Sequence, residues 1–219
     1  MINYVIILGS TGSIGKSTLD SIKNQSNFKV KLLTSNNNVR KLFKQAVAFK
    51  VNDVIIQNEI SYKKNLKIFK QNKINLHLGL NNIKKIINNK VSYCVNSITG
   101  IDGLEPTLDV IPLTKNLLVA NKESVICGWN LIKKKLSTYN TNFIPLDSEH
   151  YSIMELIKNE NSKNIERIVL TASGGPFLNK KKKDIINIEP KFALKHPNWK
   201  MGKKISIDSS NLMNKIFEF

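Results

Sequence analysis

Val5-Ile6-Ile7-Leu8-Gly9-Ser10-Thr11-Gly12-Ser13-Ile14-Gly15 is an apolar run that breaks into three glycines spaced G-x-x-G-x-x-G. A short apolar run rich in β-branched residues reads as a buried strand. The glycine-rich tail reads as a tight turn that opens a helix. Glycines there let the backbone approach a phosphate, and the first N–H groups of the helix offer it unpaired donors. A rival reading takes Gly15-Lys16-Ser17 as the end of a nucleoside-triphosphate loop. That motif needs four residues between its first glycine and its Gly-Lys pair. Five residues separate Gly9 from Gly15, and Ser10 holds the place the first glycine would need. No later strand ends in an acid placed to organise Mg²⁺ for phosphoryl transfer. The stretch therefore fits a dinucleotide loop best, with a purely structural turn as the bland alternative.

Working outward, apolar runs alternate with amphipathic stretches of helical length. The pattern predicts strands at Tyr4–Leu8, Lys29–Thr34, Asp53–Gln57, Ser92–Val95, Asn116–Val119, Asn142–Pro145 and Ile165–Thr171. Helices are expected near Ile14–Lys23, Val39–Phe49, Tyr62–Gln71, Leu104–Ile111, Lys122–Lys135 and Tyr151–Lys158. Such alternation implies βαβ units and a mostly parallel sheet, with ligands at the carboxyl ends of the strands. After Pro145-Leu146-Asp147-Ser148-Glu149-His150 the alternation gives way to loop-rich sequence, so a domain boundary is placed near residue 150.

The chain has 219 residues and a net charge of +18, a balance that raises nucleic-acid binding. Yet Lys supplies 32 of the 34 basic residues, Arg40 and Arg167 being the two arginines, and the lysines are scattered among Asn and Ile. Base-reading arginine is nearly absent, so a nucleic-acid partner is not expected. Lys180-Lys181-Lys182-Lys183 reads as a solvated loop or helix start. No apolar run approaches membrane-spanning length, and the amino terminus lacks the features of a signal peptide. Cys94 and Cys127 sit in apolar contexts without metal-ligand spacing. They read as two free, buried thiols in a reducing cytoplasm, or in the equivalent compartment of an endosymbiont or plastid.

The end of the second strand discriminates between dinucleotides. Enzymes that use NAD carry an acid there for the ribose 2′-hydroxyl, whereas Leu33-Thr34-Ser35-Asn36-Asn37-Asn38-Val39-Arg40 contains none. Neutral hydrogen-bonding groups beside an arginine suit a 2′-phosphate, which favours NADP. Further on, if Asp147-Ser148-Glu149-His150 stays extended, Asp147 and Glu149 face the same side and share a hard cation, Mg²⁺ or Mn²⁺ by their all-oxygen donors. The alternative is a capping residue at the start of the next helix. Thr171-Ala172-Ser173-Gly174-Gly175-Pro176-Phe177 resembles an anion-binding turn. Lys122-Glu123, after Asn121, is either catalytic or merely the charged first turn of a helix.

These blocks, with Leu118-Val119-Ala120-Asn121-Lys122-Glu123-Ser124 and the polar run from His196 to Glu218, strongly resemble the 1-deoxy-D-xylulose 5-phosphate reductoisomerase family in both content and order. The resemblance implies a Rossmann-like NADP-binding domain over 1–150 and an α/β catalytic domain over 151–219, left incomplete because a C-terminal helical domain is missing. It implies rearrangement of 1-deoxy-D-xylulose 5-phosphate and reduction by NADPH to 2-C-methyl-D-erythritol 4-phosphate, in isoprenoid precursor synthesis. The metal, Mg²⁺ or Mn²⁺ with Co²⁺ as a further option, would be held by Asp147, Glu149 and Glu218. Lys122, Ser148, Glu149, Ser173, His196, Ser209, Asn214, Lys215 and Glu218 would contact the sugar phosphate. Of these, Ser173, Ser209, Asn214 and Lys215 would form the phosphate cradle. Lys122, Glu149, His196 and Trp199 would be catalytic, with Trp199 in a lid loop Pro197-Asn198-Trp199-Lys200-Met201-Gly202. Cofactor contacts would come from Thr11, Gly12, Ser13, Ile14, Asn36, Asn37, Asn38, Asn121, Glu123 and Gly202. The family's dimer would be expected of a full-length chain, with no membrane partner.

Departures are also legible. Family members commonly carry Gly-Lys where this chain has Asn36-Asn37, which removes a cation near the 2′-phosphate unless Arg40 compensates. Glu218 is expected at a fraying end of the chain. An NADP(H)-binding module with impaired catalysis is thus the alternative to an active enzyme.

Overall fold

The computed structural model describes residues 1–199 and 202–219, and the chain divides into two compact units, Met1–Asp147 and Ser148–Phe219. The first unit runs β1 (Asn3–Leu8), α1 (Ser13–Ile22), β2 (Phe28–Ser35), α2 (Val39–Ala48), β3 (Asp53–Ile56), α3 (Glu59–Gln71), β4 (Asn75–Leu78), α4 (Ile83–Ile86), β5 (Val91–Asn96), α5 (Leu104–Val110), β6 (Thr114–Val119), α6 (Lys122–Tyr139) and β7 (Asn142–Pro145). The strands form one sheet in the order β4-β3-β2-β1-β5-β6-β7, and every neighbouring pair is parallel. The chain winds outward from β1 in one direction and then returns to its other side at β5. The order therefore reverses at β1, the switch point where open α/β sheets leave a crevice at their carboxyl ends.

The sheet is buried on both faces because its strands are apolar at consecutive positions. Val5 and Ile7 of β1 join Leu33, Val54 and Ile56 in one core, with Leu19, Leu42, Ala46 and Phe69 from α1, α2 and α3. Ile6 and Leu8 point the other way and join Leu32, Ile55 and Cys94, with Ile83, Val110 and Ile132 from α4, α5 and α6. The period of two along each strand sorts the side chains into these two layers.

Helix ends follow local chemistry. Asn38, Asn58 and Asn121 each cap a helix, their side-chain oxygens accepting from the N–H of Lys41, Ser61 and Ser124 at 3.2, 2.8 and 2.9 Å. At the other ends, α2 and α3 close through Lys50 (φ 52°) and Lys73 (φ 58°) in the left-handed region. Val51 N–H then donates to the Ala46 carbonyl at 2.8 Å, and Ile74 N–H to that of Phe69 at 3.0 Å. This is the usual helix-terminating pair of bonds, with lysine in the seat glycine favours.

The structure corrects the sequence reading in several places. β4 was not expected, because Asn75 and His77 interrupt its apolar run. Both are satisfied across the ladder by the Asp53 carboxylate, each at 3.0 Å. The strand expected at Ile165–Thr171 does not form. No strand occurs in the second unit among its described residues, so this segment has no ladder to join. Ile168 and Val169 are accordingly exposed, at 55% and 70%. Cys94 is buried, which pushes its thiol pKa up, but Cys127 is exposed. The buried stripe of α6 runs Ser124, Gly128, Ile132, and Cys127 lies off it.

The second unit contains α7 (Ser148–Ile157), α8 (Lys182–Ile185), α9 (Lys203–Ser210) and α10 (Met213–Glu218), joined by loops and single 3₁₀ turns. α7 starts three residues before its expected first residue, Tyr151. Ser148-Glu149-His150 is therefore helical rather than extended, and the alternation argued for Asp147 and Glu149 does not apply. Among the described residues, no helix is long and apolar enough to cross a membrane.

Candidate cofactor and metal sites

In the first unit the glycine-rich loop sits at the carboxyl end of β1, between β2 and β5. A Cβ on Gly15 would meet Ser10 Cα at 2.6 Å and the Gly9 carbonyl oxygen at 2.7 Å, so only glycine lets α1 pack this close to the loop. The loop is tied down on both sides. Ser97 Oγ donates to the Leu8 carbonyl at 2.7 Å, and Ser10 Oγ donates to the buried Gln45 amide oxygen at 2.8 Å. The hydroxyls of Thr11 and Ser35, at the end of β2, lie 2.9 Å apart. The Lys41 ammonium, from the first turn of α2, donates to the Thr11 carbonyl. Gln45 and Lys41 were not picked out from sequence. A glutamine on the apolar face of α2 was the available signal for the first, whereas nothing local marks the second.

Of the expected cofactor residues, those of the first unit lie at the carboxyl ends of its strands. Thr11, Gly12, Ser13 and Ile14 span its turn into α1, and Asn36, Asn37 and Asn38 follow β2. Asn121 and Glu123 lie where β6 gives way to α6. The Asn121 amide is committed locally: it caps α6 and donates to the carbonyl of Ile98 at 2.5 Å and to that of Gly100. Lys122 and Asp147 form an ion pair at 2.7 Å, with side chains only 16% and 11% exposed. An open cleft of about 440 Å³ lies at the opposite, amino ends of the strands, lined by Tyr4, Phe28, Phe49 and Lys50 among others. It is remote from the loop.

In the second unit, taken by itself, α7 and α10 bring Glu149 and Glu218 together, with carboxylate oxygens within 4.8 Å of each other. The Lys215 ammonium binds both. Burial works against its charge, but the hydrogen bonds and the attraction of the two carboxylates outweigh that, and its pKa is raised. Glu218, expected at a frayed end, is buried at 7% exposure. Ser148 Oγ donates to the second oxygen of Glu149 at 2.7 Å.

A second cluster joins Ser173 to His196. The backbone N–H groups of Asn198 and Trp199 donate to His196 Nδ1 at 3.2 and 3.1 Å. In the neutral ring that places the proton on Nε2, which donates to Ser173 Oγ at 2.9 Å. The turn after Ser173 packs against the end of α9. Gly175 sits at φ 64°, and a Cβ there would meet the Ser209 carbonyl at 2.6 Å. Ser209 is buried, and Asn214 Nδ2 reaches the Ile205 carbonyl at 3.4 Å. Of the residues expected in the phosphate cradle, Lys215 engages carboxylates and Ser173 engages His196. Trp199 is 63% exposed, Gly202 precedes α9, and Lys200 and Met201 of the expected lid loop lie outside the described residues.

Sheet order, glycine-rich loop and helix-lined faces define a doubly wound α/β protein of the Rossmann type, followed by a helical unit with a carboxylate pair. Residues 5–128 match 1-deoxy-D-xylulose 5-phosphate reductoisomerase, and residues 143–219 match the C-terminal domain of the same family. The chain belongs to the 1-deoxy-D-xylulose 5-phosphate reductoisomerase family. It is 52% identical over 217 residues to the reductoisomerase of Pelagibacter ubique, covering 98% of this chain and 56% of that one. It is 42% identical over 215 residues to that of Caldanaerobacter subterraneus subsp. tengcongensis, with the same coverages. Among solved structures, DOX-P reductoisomerase in complex with NADPH, fosmidomycin and magnesium is similar at TM-score 0.89 and 33% identity, over 99% of this chain and 56% of that one. The Zymomonas mobilis enzyme in complex with NADPH is similar at TM-score 0.88 and 32% identity, over 100% and 56%. The chain spans about half the length of the relatives it matches.

Proposed function

We propose that this chain serves the NADPH- and divalent-metal-dependent conversion of 1-deoxy-D-xylulose 5-phosphate to 2-C-methyl-D-erythritol 4-phosphate. The observation that carries the reading is the Glu149–Glu218 pair closing on the Lys215 ammonium. Two carboxylates that already hold a positive charge have the hard oxygen donors that Mg²⁺ or Mn²⁺ selects. Asp147, two residues before Glu149 in sequence, would complete the ligand set. The cation, when bound, would polarise the carbonyl and neighbouring hydroxyl of the ketose, and NADPH would supply the hydride.

The chain's own residues would do the rest. The loop Gly9–Gly15 would seat the dinucleotide phosphates against the α1 N-terminus. Once a metal replaces its ammonium, Lys215 would turn to the substrate phosphate with Ser209 and Asn214. His196, its Nδ1 held by backbone donors, would present Nε2–H beside Ser173 to a substrate oxygen. Trp199, exposed in its loop, would cover the bound substrate and exclude water. Lys122 would place a cation near the reacting carbonyl. NADPH oxidation by the purified chain with 1-deoxy-D-xylulose 5-phosphate and Mn²⁺ tests this directly. Asp147→Ala and Glu149→Ala should each lower the rate by roughly 100-fold or more while NADPH affinity stays within a few-fold. Equal losses in rate and affinity would remove these residues from the metal. NADPH binding without substrate-dependent oxidation in the unaltered chain would leave a dinucleotide-binding module.

A further inference from the structure

We infer that Lys41 is the residue by which this chain selects a dinucleotide carrying a 2′-phosphate, exchanging its bond to the Thr11 carbonyl for that phosphate. The inference rests on the dinucleotide reading given above and adds a residue to it. The strand end that would carry a ribose-binding acid reads Ser35-Asn36-Asn37-Asn38, without a carboxylate. Ser35 is turned to Thr11 Oγ1 at 2.9 Å, and the Asn38 oxygen caps α2, so neither supplies charge. Asn36 and Asn37 are exposed and neutral.

The first turn of α2 carries no acid, which leaves the positive end of its dipole uncompensated beside the loop. Two cations stand in that turn, Arg40 and Lys41. Consecutive helical residues point about 100° apart, so the two cannot serve one spot equally. Arg40 is exposed, whereas Lys41 is half-buried and its ammonium already lies on the glycine-rich loop. A neutral backbone carbonyl holds that ammonium without cancelling its charge. A dianionic phosphate is the stronger partner, and the flexible stem of lysine allows the exchange.

Dissociation constants for NADPH and NADH, measured by titration on the full 219-residue chain, decide the matter. The unaltered chain should prefer NADPH. Lys41→Gln should cut that preference about tenfold by weakening NADPH alone, as loss of one charge-assisted hydrogen bond at a half-exposed site would. NADH affinity should stay within about twofold, Lys41→Arg should restore most of the preference, and Arg40→Gln should leave it nearly unchanged. A merely structural Lys41 would weaken both dinucleotides equally, and that result overturns the inference. So does loss of preference in Arg40→Gln with none in Lys41→Gln. If the unaltered chain binds neither dinucleotide, the cofactor reading itself fails. If it binds NADPH but Lys41→Gln leaves the ratio untouched, only the role of Lys41 fails.

Discussion

The first unit is held by apolar burial on both faces of a sheet, whereas the second buries no apolar side chain among its described residues. Its buried side chains are Ser206, Ser209 and Glu218, two of them expected site residues. In the first unit the scaffold and the chemistry are separate: the loop and Lys41 sit on top of a core that would persist without them. In the second, the groups that would do chemistry are also the groups that hold the helices together. Lys215 joins α7 to α10, and the Gly175 turn leans on Ser209. A fold of the first kind depends mainly on packing. One of the second kind depends on the charge state and ligands of its site.

The largest effect that could break this contrast is a core truncation. Phe69 is fully buried and packs edge-on against Phe43, with ring centroids 5.2 Å apart. Phe69→Ala should destabilise the first unit by about 3–5 kcal/mol in urea unfolding. Leu194→Ala, at a residue 40% exposed in the second unit, should change stability by less than about 0.5 kcal/mol. Comparable losses from the two would mean that the second unit has a core after all. Next in size is the response to metal. Mn²⁺ at about 100 times its dissociation constant should stabilise the second unit by about 2.7 kcal/mol. Slower hydrogen exchange in α10 would report this, while β1 amides stay unaffected. Glu149→Gln should remove the α10 protection, and protection that survives the substitution would place the ion elsewhere.

How much of this was legible depends on how local each signal is. β1, its glycine-rich loop and α1 were readable because strand, turn and helix N-terminus each announce themselves within a few residues. The acid-free end of β2 was readable for the same reason. β4 was not, since the partner that satisfies Asn75 and His77 is Asp53, more than twenty residues away. Ile165–Thr171 was over-read because an apolar run reports hydrophobicity but not whether a neighbouring strand exists. α9 and α10 escaped notice because their buried positions are serine and glutamate, which leave no apolar period to detect. The residues expected to bind metal and substrate could be named from the resemblance. That Lys215 would sit between Glu149 and Glu218 could not, because its partner Glu149 is sixty-six residues away.

The smallest effect sharpens the contrast most, since a left-handed residue is replaced by glycine in each unit. Lys50 closes α2 at φ 52°, and Leu212 stands at φ 61° at the start of α10. A side chain in the left-handed region costs about 1–2 kcal/mol, which glycine avoids. Glycine also gives the unfolded chain about 0.4–1 kcal/mol more conformational freedom to lose. Lys50→Gly should therefore stabilise the first unit by roughly 0.5 kcal/mol and leave dinucleotide affinity unchanged, because Lys50 lies at the end of the sheet away from the loop. Leu212→Gly relieves similar strain, but it loosens the turn between Ser209 on α9 and Lys215 on α10. Metal affinity, read by Mn²⁺ titration, should fall a few-fold even though strain is relieved. If Leu212→Gly behaves like Lys50→Gly, gaining stability and keeping its metal affinity, scaffold and site are as separable in the second unit as in the first.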